Sequence, residues 1–210
     1  MNHTADIEKL LQAIDDKKAR IGVVGLGYVG LPLSKTFLEA GFKCLGFDLD
    51  EEKIRQLEAG ESYIKHIDGG WITRQVEAGS FQATGDMQRL SEADVILICV
   101  PTPLADNRQP DLSFVEGTAR SIASTLRPGQ LIILESTTYP GTTEEEIVPL
   151  IEEEGFKIGS NYFVGYSPER EDPGNTDYTT KTIPKVVSGY TKNCLHITQT
   201  LYDSIVDLLP

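Results

Sequence analysis

The sequence has few of the features that indicate a metal site, a disulfide framework or a membrane segment. Its three cysteines, Cys44, Cys99 and Cys194, form no C-x-x-C motif, and its three histidines are isolated from one another. No apolar run approaches the roughly 20 residues of a membrane-spanning helix, and the first residues lack a secretory signal pattern. We therefore expect a cytoplasmic protein with no metal site and no membrane contact.

Basic residues are also scarce. The chain has 19 lysines and arginines against 32 aspartates and glutamates, which gives a formal net charge of −13. Proteins that bind nucleic acid or anionic membranes need a basic face that displaces counterions. The composition therefore argues against both kinds of partner.

The length of 210 residues suits one well-buried core and is short for two domains. Apolar residues at three- and four-residue spacing between Ile7 and Ile14 predict a short amphipathic helix. We expect residues 1–20 to form an N-terminal helical segment on the outside of the domain, and residues 21–210 to form the domain itself.

A glycine-rich turn follows the first predicted strand. Gly25, Gly27 and Gly30 form a G-x-G-x-x-G pattern between an apolar run and a helical pattern. In dinucleotide-binding proteins the three glycines allow a tight turn, the approach of a pyrophosphate and close packing of helix on strand. Alone the pattern is weak, because such turns also occur in α/β proteins that bind no dinucleotide.

An acidic residue supplies the context that the glycines need. Asp48 ends the second predicted strand about 20 residues after the glycines, where a carboxylate can accept hydrogen bonds from an adenosine ribose. Its charge would repel a 2′-phosphate, so NAD is favoured over NADP. Lys53 follows one helical turn later and is either a solvated surface lysine or a contact to the ribose or phosphate.

Later apolar runs predict further buried parallel strands, each followed by a polar loop. Residues 94–100 precede Pro101-Thr102-Pro103, residues 131–134 precede a loop at 135–141, and residues 161–166 precede a loop at 167–175. The carboxyl ends of parallel strands meet at one sheet edge, so these loops should converge on one site. The predicted fold is α/β, a Rossmann-type doubly wound, mainly parallel sheet with helices on both faces.

Four further predictions concern where particular helices and strands begin. Ser113 with Glu116, and Thr142 with Glu145, have the spacing of capping boxes at helix starts. Residues 185–189 read as a last short strand, followed by a helix from about Lys192.

Together these motifs resemble the UDP-glucose/GDP-mannose dehydrogenase family along nearly the whole chain. The matching pieces are residues 25–32, Val100-Pro101-Thr102-Pro103, Glu135-Ser136-Thr137 with Pro140-Gly141, and Ser167-Pro168-Glu169. Residues 62–64 and 168–175 resemble the branch that oxidises UDP-N-acetylhexosamines, in particular UDP-N-acetylglucosamine.

The resemblance implies an activity and a set of site residues. Family members oxidise carbon 6 of a nucleotide sugar twice, consuming two NAD through a cysteine-bound intermediate. The resemblance assigns catalytic work to Glu169 and Thr137, Glu169 as the acid/base group and Thr137 in positioning water. The implied cofactor-binding positions are Gly25, Gly27, Tyr28, Val29, Gly30, Asp48, Lys53, Val100, Thr102 and Thr137.

The chain also departs from the family pattern. Pro173 stands where UDP-glucose members often carry a second glutamate, and a simple loop carboxylate paired with Arg170 stays an alternative for Glu169. The family's nucleophilic cysteine and its central-helix lysine and asparagine have no counterpart before Pro210. We therefore expect an NAD-binding domain truncated before the central helix and the UDP-sugar-binding domain, and a homodimer or higher homo-oligomer for the full-length enzyme.

Three alternatives stay open. The substrate could be UDP-glucose or UDP-N-acetylmannosamine. The chain could be a single-step dehydrogenase of the 3-hydroxyacid or 6-phosphogluconate type, against which the residue 101–103 and 167–169 motifs argue. It could also be a non-catalytic NAD-binding module.

Overall fold

A seven-stranded sheet organises the part of the chain that this computed structural model describes, residues 3–104, 109–168 and 185–206. The strands are β1 (Arg20–Val24), β2 (Lys43–Phe47), β3 (Phe81–Thr84), β4 (Val95–Ile98), β5 (Gln130–Leu134), β6 (Tyr162–Tyr166) and β7 (Ser188–Gly189). The α-helices are α1 (His3–Asp15), α2 (Gly30–Glu39), α3 (Glu51–Glu58), α4 (Gly69–Glu77), α5 (Ser113–Thr125), α6 (Val148–Glu152) and α7 (Lys192–Asp203). A 3₁₀-helix spans Met87–Glu92 and a π-helical turn spans Thr143–Ile147.

The strand order is β3-β2-β1-β4-β5-β6-β7. The first six strands in this order are parallel, and β7 runs antiparallel to β6. This is the doubly wound arrangement of the Rossmann fold, so the predicted fold class is confirmed. The order reverses between β1 and β4, which is where open α/β sheets bind ligands.

Alternate residues of the central strands enter two separate hydrophobic cores. In β4, Val95 and Leu97 face the core that includes side chains of α1, α2 and α7, whereas Ile96 and Ile98 face the core that includes side chains of α5, α6 and the 3₁₀-helix. Both faces of the sheet are thus covered, which explains the uninterrupted apolar runs of these strands. None of the helices in the described ranges is long and apolar enough to cross a membrane.

The two predicted capping boxes, Ser113 with Glu116 and Thr142 with Glu145, are wrong. Leu112 precedes α5 without a side-chain cap, and the carboxylate of Asp111 instead accepts a hydrogen bond from the Ser113 amide at 2.9 Å. The Thr142 hydroxyl donates to the Tyr139 carbonyl at 2.8 Å and caps nothing, because the following turn is π-helical. In both places, local hydrogen bonds of the preceding loop take the groups that a capping box would use.

The predicted strand at 185–189 is shorter than expected, since only Ser188–Gly189 pairs with β6. The rest of this edge of β6 is closed by α7 and the residues before it. The Val164 amide donates to the buried sulfur of Cys194 at 3.4 Å, and the Val164 carbonyl accepts from the Tyr190 amide at 3.1 Å. Cys194 therefore has a structural role in closing the sheet.

Lys185 does not pair with β6, because its side chain extends into the protein interior. Its ammonium group lies 2.8 Å from a carboxylate oxygen of Glu135, and both side chains are almost fully buried. The Tyr202 hydroxyl donates to the other Glu135 oxygen. A buried charge is tolerated when it is paired and hydrogen-bonded, so this cluster joins the end of β5 to α7 and to the chain before β7.

Removing one charge of the Lys185–Glu135 pair should destabilise the fold more than removing both charges. Lys185→Met should lower the free energy of unfolding by about 3–5 kcal/mol, because it removes the buried ammonium group that lies against the buried Glu135 carboxylate. The double variant Glu135→Gln/Lys185→Met should recover part of that loss. Lys157→Met, at an exposed lysine, should change it by less than about 0.5 kcal/mol. Urea denaturation measures all three, and a double variant less stable than Lys185→Met would contradict the interpretation.

Candidate cofactor cleft

A cleft of about 650 Å³ lies at the carboxyl ends of the strands, beside the point where the strand order reverses. The loops after β1, β2, β4 and β5 and one face of α5 form its walls. All the predicted cofactor positions except Gly30 line it, namely Gly25, Gly27, Tyr28, Val29, Asp48, Lys53, Val100, Thr102 and Thr137. The structure thus brings together residues that are up to 112 positions apart in sequence.

The three glycines are constrained in three different ways. Gly25 has a φ of +92°, and a Cβ atom there would lie 2.7 Å from the Cys99 carbonyl oxygen. At Gly30 a Cβ atom would overlap the carbonyl oxygen of Gly25, so the absence of a side chain lets the start of α2 pack against the turn. At Gly27 a Cβ atom would meet no atom of the described residues within 4 Å, its chain neighbours aside, so this glycine keeps the cleft open.

The carboxylate of Asp48 is nearly buried and binds the turn itself. It accepts hydrogen bonds from the amide of Leu26 at 2.8 Å and the amide of Asp50 at 3.0 Å, and the ammonium group of Lys53 lies at 3.2 Å. A carboxylate offers about four acceptor sites, so one remains for a ribose hydroxyl. The side chain of Lys53 is one-third exposed, and its contact is the one that a ligand can most easily replace.

The loops after β4 and β5 are hydrogen-bonded to each other. The Thr102 hydroxyl donates to the Thr137 carbonyl at 2.7 Å, and the Ser136 hydroxyl donates to the Val100 carbonyl at 2.7 Å. These bonds hold Thr102 and Thr137 on the same side of the cleft. Glu169, the other predicted catalytic residue, lies outside the described residues, as does Arg170.

A second, smaller cleft of about 350 Å³ begins at Thr138, the neighbour of Thr137. The loop after β5, the end of β6 and β7 line it, and Tyr139, Tyr166 and Tyr190 contribute aromatic side chains. No group of three or more His, Cys, Asp or Glu side chains in the described ranges is arranged to hold a metal ion.

Sequence reasoning missed the apolar wall of the larger cleft. Leu49, Met87 and Phe114 line it, and Leu49 and Phe114 have exposed fractions of 73% and 43%. Tyr28 in the glycine turn is likewise 70% exposed. Large apolar side chains left in solvent at a cleft indicate a ligand surface. Only Leu49 carried a sequence signal, since it directly follows Asp48 at the carboxyl end of β2.

Two glycine variants should separate binding from folding. Gly27→Ala should change the free energy of unfolding by less than about 0.5 kcal/mol, because its methyl group meets only open space, yet should weaken NAD binding about tenfold or more by occupying the cleft. Gly30→Ala should destabilise the fold by about 1–3 kcal/mol or more through overpacking. Thermal unfolding and calorimetric titration measure both effects, and equal NAD affinity in Gly27→Ala and the wild type would contradict the assignment.

Comparison with known proteins points to one family. The model of the UDP-glucose/GDP-mannose dehydrogenase family, NAD binding domain, matches residues 19–206. Protein CapL of Staphylococcus aureus is 39% identical over 187 residues, which cover 89% of this chain and 43% of that protein. UDP-N-acetyl-D-glucosamine 6-dehydrogenase of Pseudomonas aeruginosa is 37% identical over 193 residues, covering 90% of this chain and 44% of that protein.

Solved structures agree with the sequence comparisons. The UDP-D-ManNAc dehydrogenase of Pyrococcus horikoshii has a TM-score of 0.83 and 32% identity, covering 90% of this chain and 46% of that one. The chain thus spans less than half the length of these relatives. Because the family model covers nearly all of its residues, the chain belongs to the UDP-glucose/GDP-mannose dehydrogenase family and matches the NAD binding domain of that family.

Proposed function

We propose that this chain is the NAD-binding part of a nucleotide-sugar 6-dehydrogenase. The reaction is the oxidation of a UDP-hexose, for which we propose UDP-N-acetylglucosamine, to the uronic acid in two NAD-dependent steps. The observation that carries the proposal is the cleft of about 650 Å³, in which the glycine turn, a buried carboxylate and two hydroxyl-bearing loops meet at the reversal of strand order.

The cleft fits NAD in shape and chemistry. Gly25 allows the tight turn, and Gly27 leaves room for a pyrophosphate beside the N-terminus of α2, where the helix dipole favours an anion. Asp48 suits a ribose with two free hydroxyls. Lys53 partly neutralises the Asp48 charge, so the hydrogen bond to the ribose contributes more to the choice of NAD than repulsion of a 2′-phosphate does. When bound, NAD supplies the hydride acceptor for the oxidation.

The β5 side of the cleft is the proposed place of reaction. Thr137 lines the larger cleft and its chain neighbour Thr138 lines the smaller one, and we therefore place the substrate in the smaller cleft, on the β5 side of the cofactor. Thr102 supports Thr137 through its carbonyl. We assign Glu169 the role of acid/base group because Ser167-Pro168-Glu169 matches the family motif that carries this group.

The named relatives favour an N-acetylated sugar. The Pseudomonas aeruginosa relative is a UDP-N-acetylglucosamine enzyme and the Pyrococcus horikoshii structure is a UDP-N-acetylmannosamine enzyme. UDP-N-acetylmannosamine is therefore the second candidate. A cytoplasmic location and self-association of the whole enzyme are part of the proposal.

Cofactor choice tests the role of Asp48. The chain should bind NAD more tightly than NADP, and Asp48→Asn should reduce that preference about tenfold to a hundredfold, because a hydrogen bond to a charged group contributes about 1.5–3 kcal/mol. Asparagine can still accept from the Leu26 amide, so the turn should persist. Asp50→Asn is the matched control, since Asp50 caps α3 and does not line the cleft. Equal wild-type affinity for NAD and NADP in calorimetric titration would refute the assignment.

Substrate choice tests the activity. The protein, as encoded in full, should form two NADH per sugar, with a higher kcat/KM for UDP-N-acetylglucosamine than for UDP-N-acetylmannosamine or UDP-glucose. Absorbance of NADH measures each rate. A higher kcat/KM for UDP-glucose would refute the proposed substrate. NAD binding without NADH formation from any of the three sugars would favour the non-catalytic module.

A further inference from the structure

The backbone of Leu26, between the first two glycines of the turn, is held on both sides. Its amide donates to the Asp48 carboxylate at 2.8 Å, and its carbonyl accepts from the Tyr63 hydroxyl at 2.6 Å. The Leu26 side chain is buried against Gly46, where an added Cβ atom would lie 2.8 Å from its Cδ2 atom. Leu26 is therefore fixed in place although both its neighbours are glycines.

Holding the Leu26 carbonyl also orients the next amide. Leu26 C=O and Gly27 N–H belong to one planar peptide unit, and no cis peptide bond occurs in the described residues. In a trans peptide the two groups point in opposite directions. A carbonyl that points to Tyr63 therefore turns the Gly27 amide away from Tyr63, and Gly27 lines the cleft whereas Tyr63 does not.

Tyr63 is well placed to act as a fixed donor. It lies between α3 and α4, and its neighbour Ile64 is buried in the core, which anchors the segment. Burial raises the pKa of Tyr63 well above its ordinary value, and the nearby carboxylates of Asp48 and Asp50 raise it further. The hydroxyl therefore stays protonated and keeps donating to Leu26 across the physiological pH range.

We propose that Tyr63 is a positioning residue for the cofactor: its hydroxyl, 37 residues from the glycine turn, sets the orientation of the peptide that presents the Gly27 amide to the pyrophosphate. The inference rests on the proposed NAD binding and extends it to a residue that does not line the cleft. It predicts an effect on the phosphate-binding part of the site and none on the adenosine-binding part.

The test compares ligands with and without a pyrophosphate. Tyr63→Phe keeps the ring and removes only the hydroxyl. It should weaken binding of NAD and of ADP-ribose about three- to tenfold, the value of one net hydrogen bond, and leave the affinity for adenosine unchanged. The amide resonance of Gly27 should also shift in the NMR spectrum of the unliganded variant.

Two controls separate positioning from a general loss of order. Ile151→Val removes a core methyl group in α6, remote from the turn, and should leave the ratio of ADP-ribose to adenosine affinity unchanged. Tyr162→Phe removes the hydroxyl of a buried tyrosine that lines neither cleft and should do the same.

The outcomes are distinct. Unchanged NAD affinity in Tyr63→Phe, or an equal loss for ADP-ribose and adenosine, would overturn the positioning role while leaving the proposed function intact. A wild-type chain that binds neither NAD nor ADP-ribose would overturn the proposed function itself. A selective loss for the two pyrophosphate ligands together with a shifted Gly27 resonance would establish the role of Tyr63.

Discussion

The hydrogen bond from the Leu26 amide to the Asp48 carboxylate joins the ends of β1 and β2 at the point on which the site depends. A turn rich in glycine has many accessible conformations, and fixing one of them costs conformational entropy. Asp48 offsets that cost by accepting from the turn and from the start of the next helix at once. The same carboxylate is thus part of the scaffold and, in our proposal, part of the ligand site.

The sequence was most informative where one physical requirement leaves few residue types. The φ of +92° and the neighbouring Cys99 carbonyl favour glycine over every other residue at position 25. Strands covered on both faces favour apolar residues at every position, as in β4. The strand order and the convergence of four loops follow from such elements, because parallel connections permit few topologies. Residues as far apart as Gly25 and Thr137 could therefore be assigned to one cleft.

Features set by hydrogen bonds within loops or by tertiary contacts could not be predicted. Capping boxes at Ser113 and Thr142 match the pattern, but hydrogen bonds of the loops before them decide the geometry. The burial of Lys185 could not be inferred from the strand pattern of residues 185–189, because its partner Glu135 is 50 positions away. The contact of Tyr63 with the glycine turn could not be predicted either, because Tyr63 and Leu26 lie 37 positions apart. The Lys185–Glu135 ion pair places the start of the loop that carries Thr137 in the protein interior.

The closure of β6 by α7 has a consequence for self-association. An open sheet edge is a template on which another chain can add a strand, and proteins blunt such edges in various ways. Here the Val164 amide and carbonyl are already occupied by the Cys194 sulfur and the Tyr190 amide, the Tyr162 carbonyl accepts from the Gly159 amide, and β7 pairs with the end of the strand. A second molecule could extend the sheet at this edge only after α7 had moved away, so an ordered assembly of folded copies would have to use another surface of the molecule.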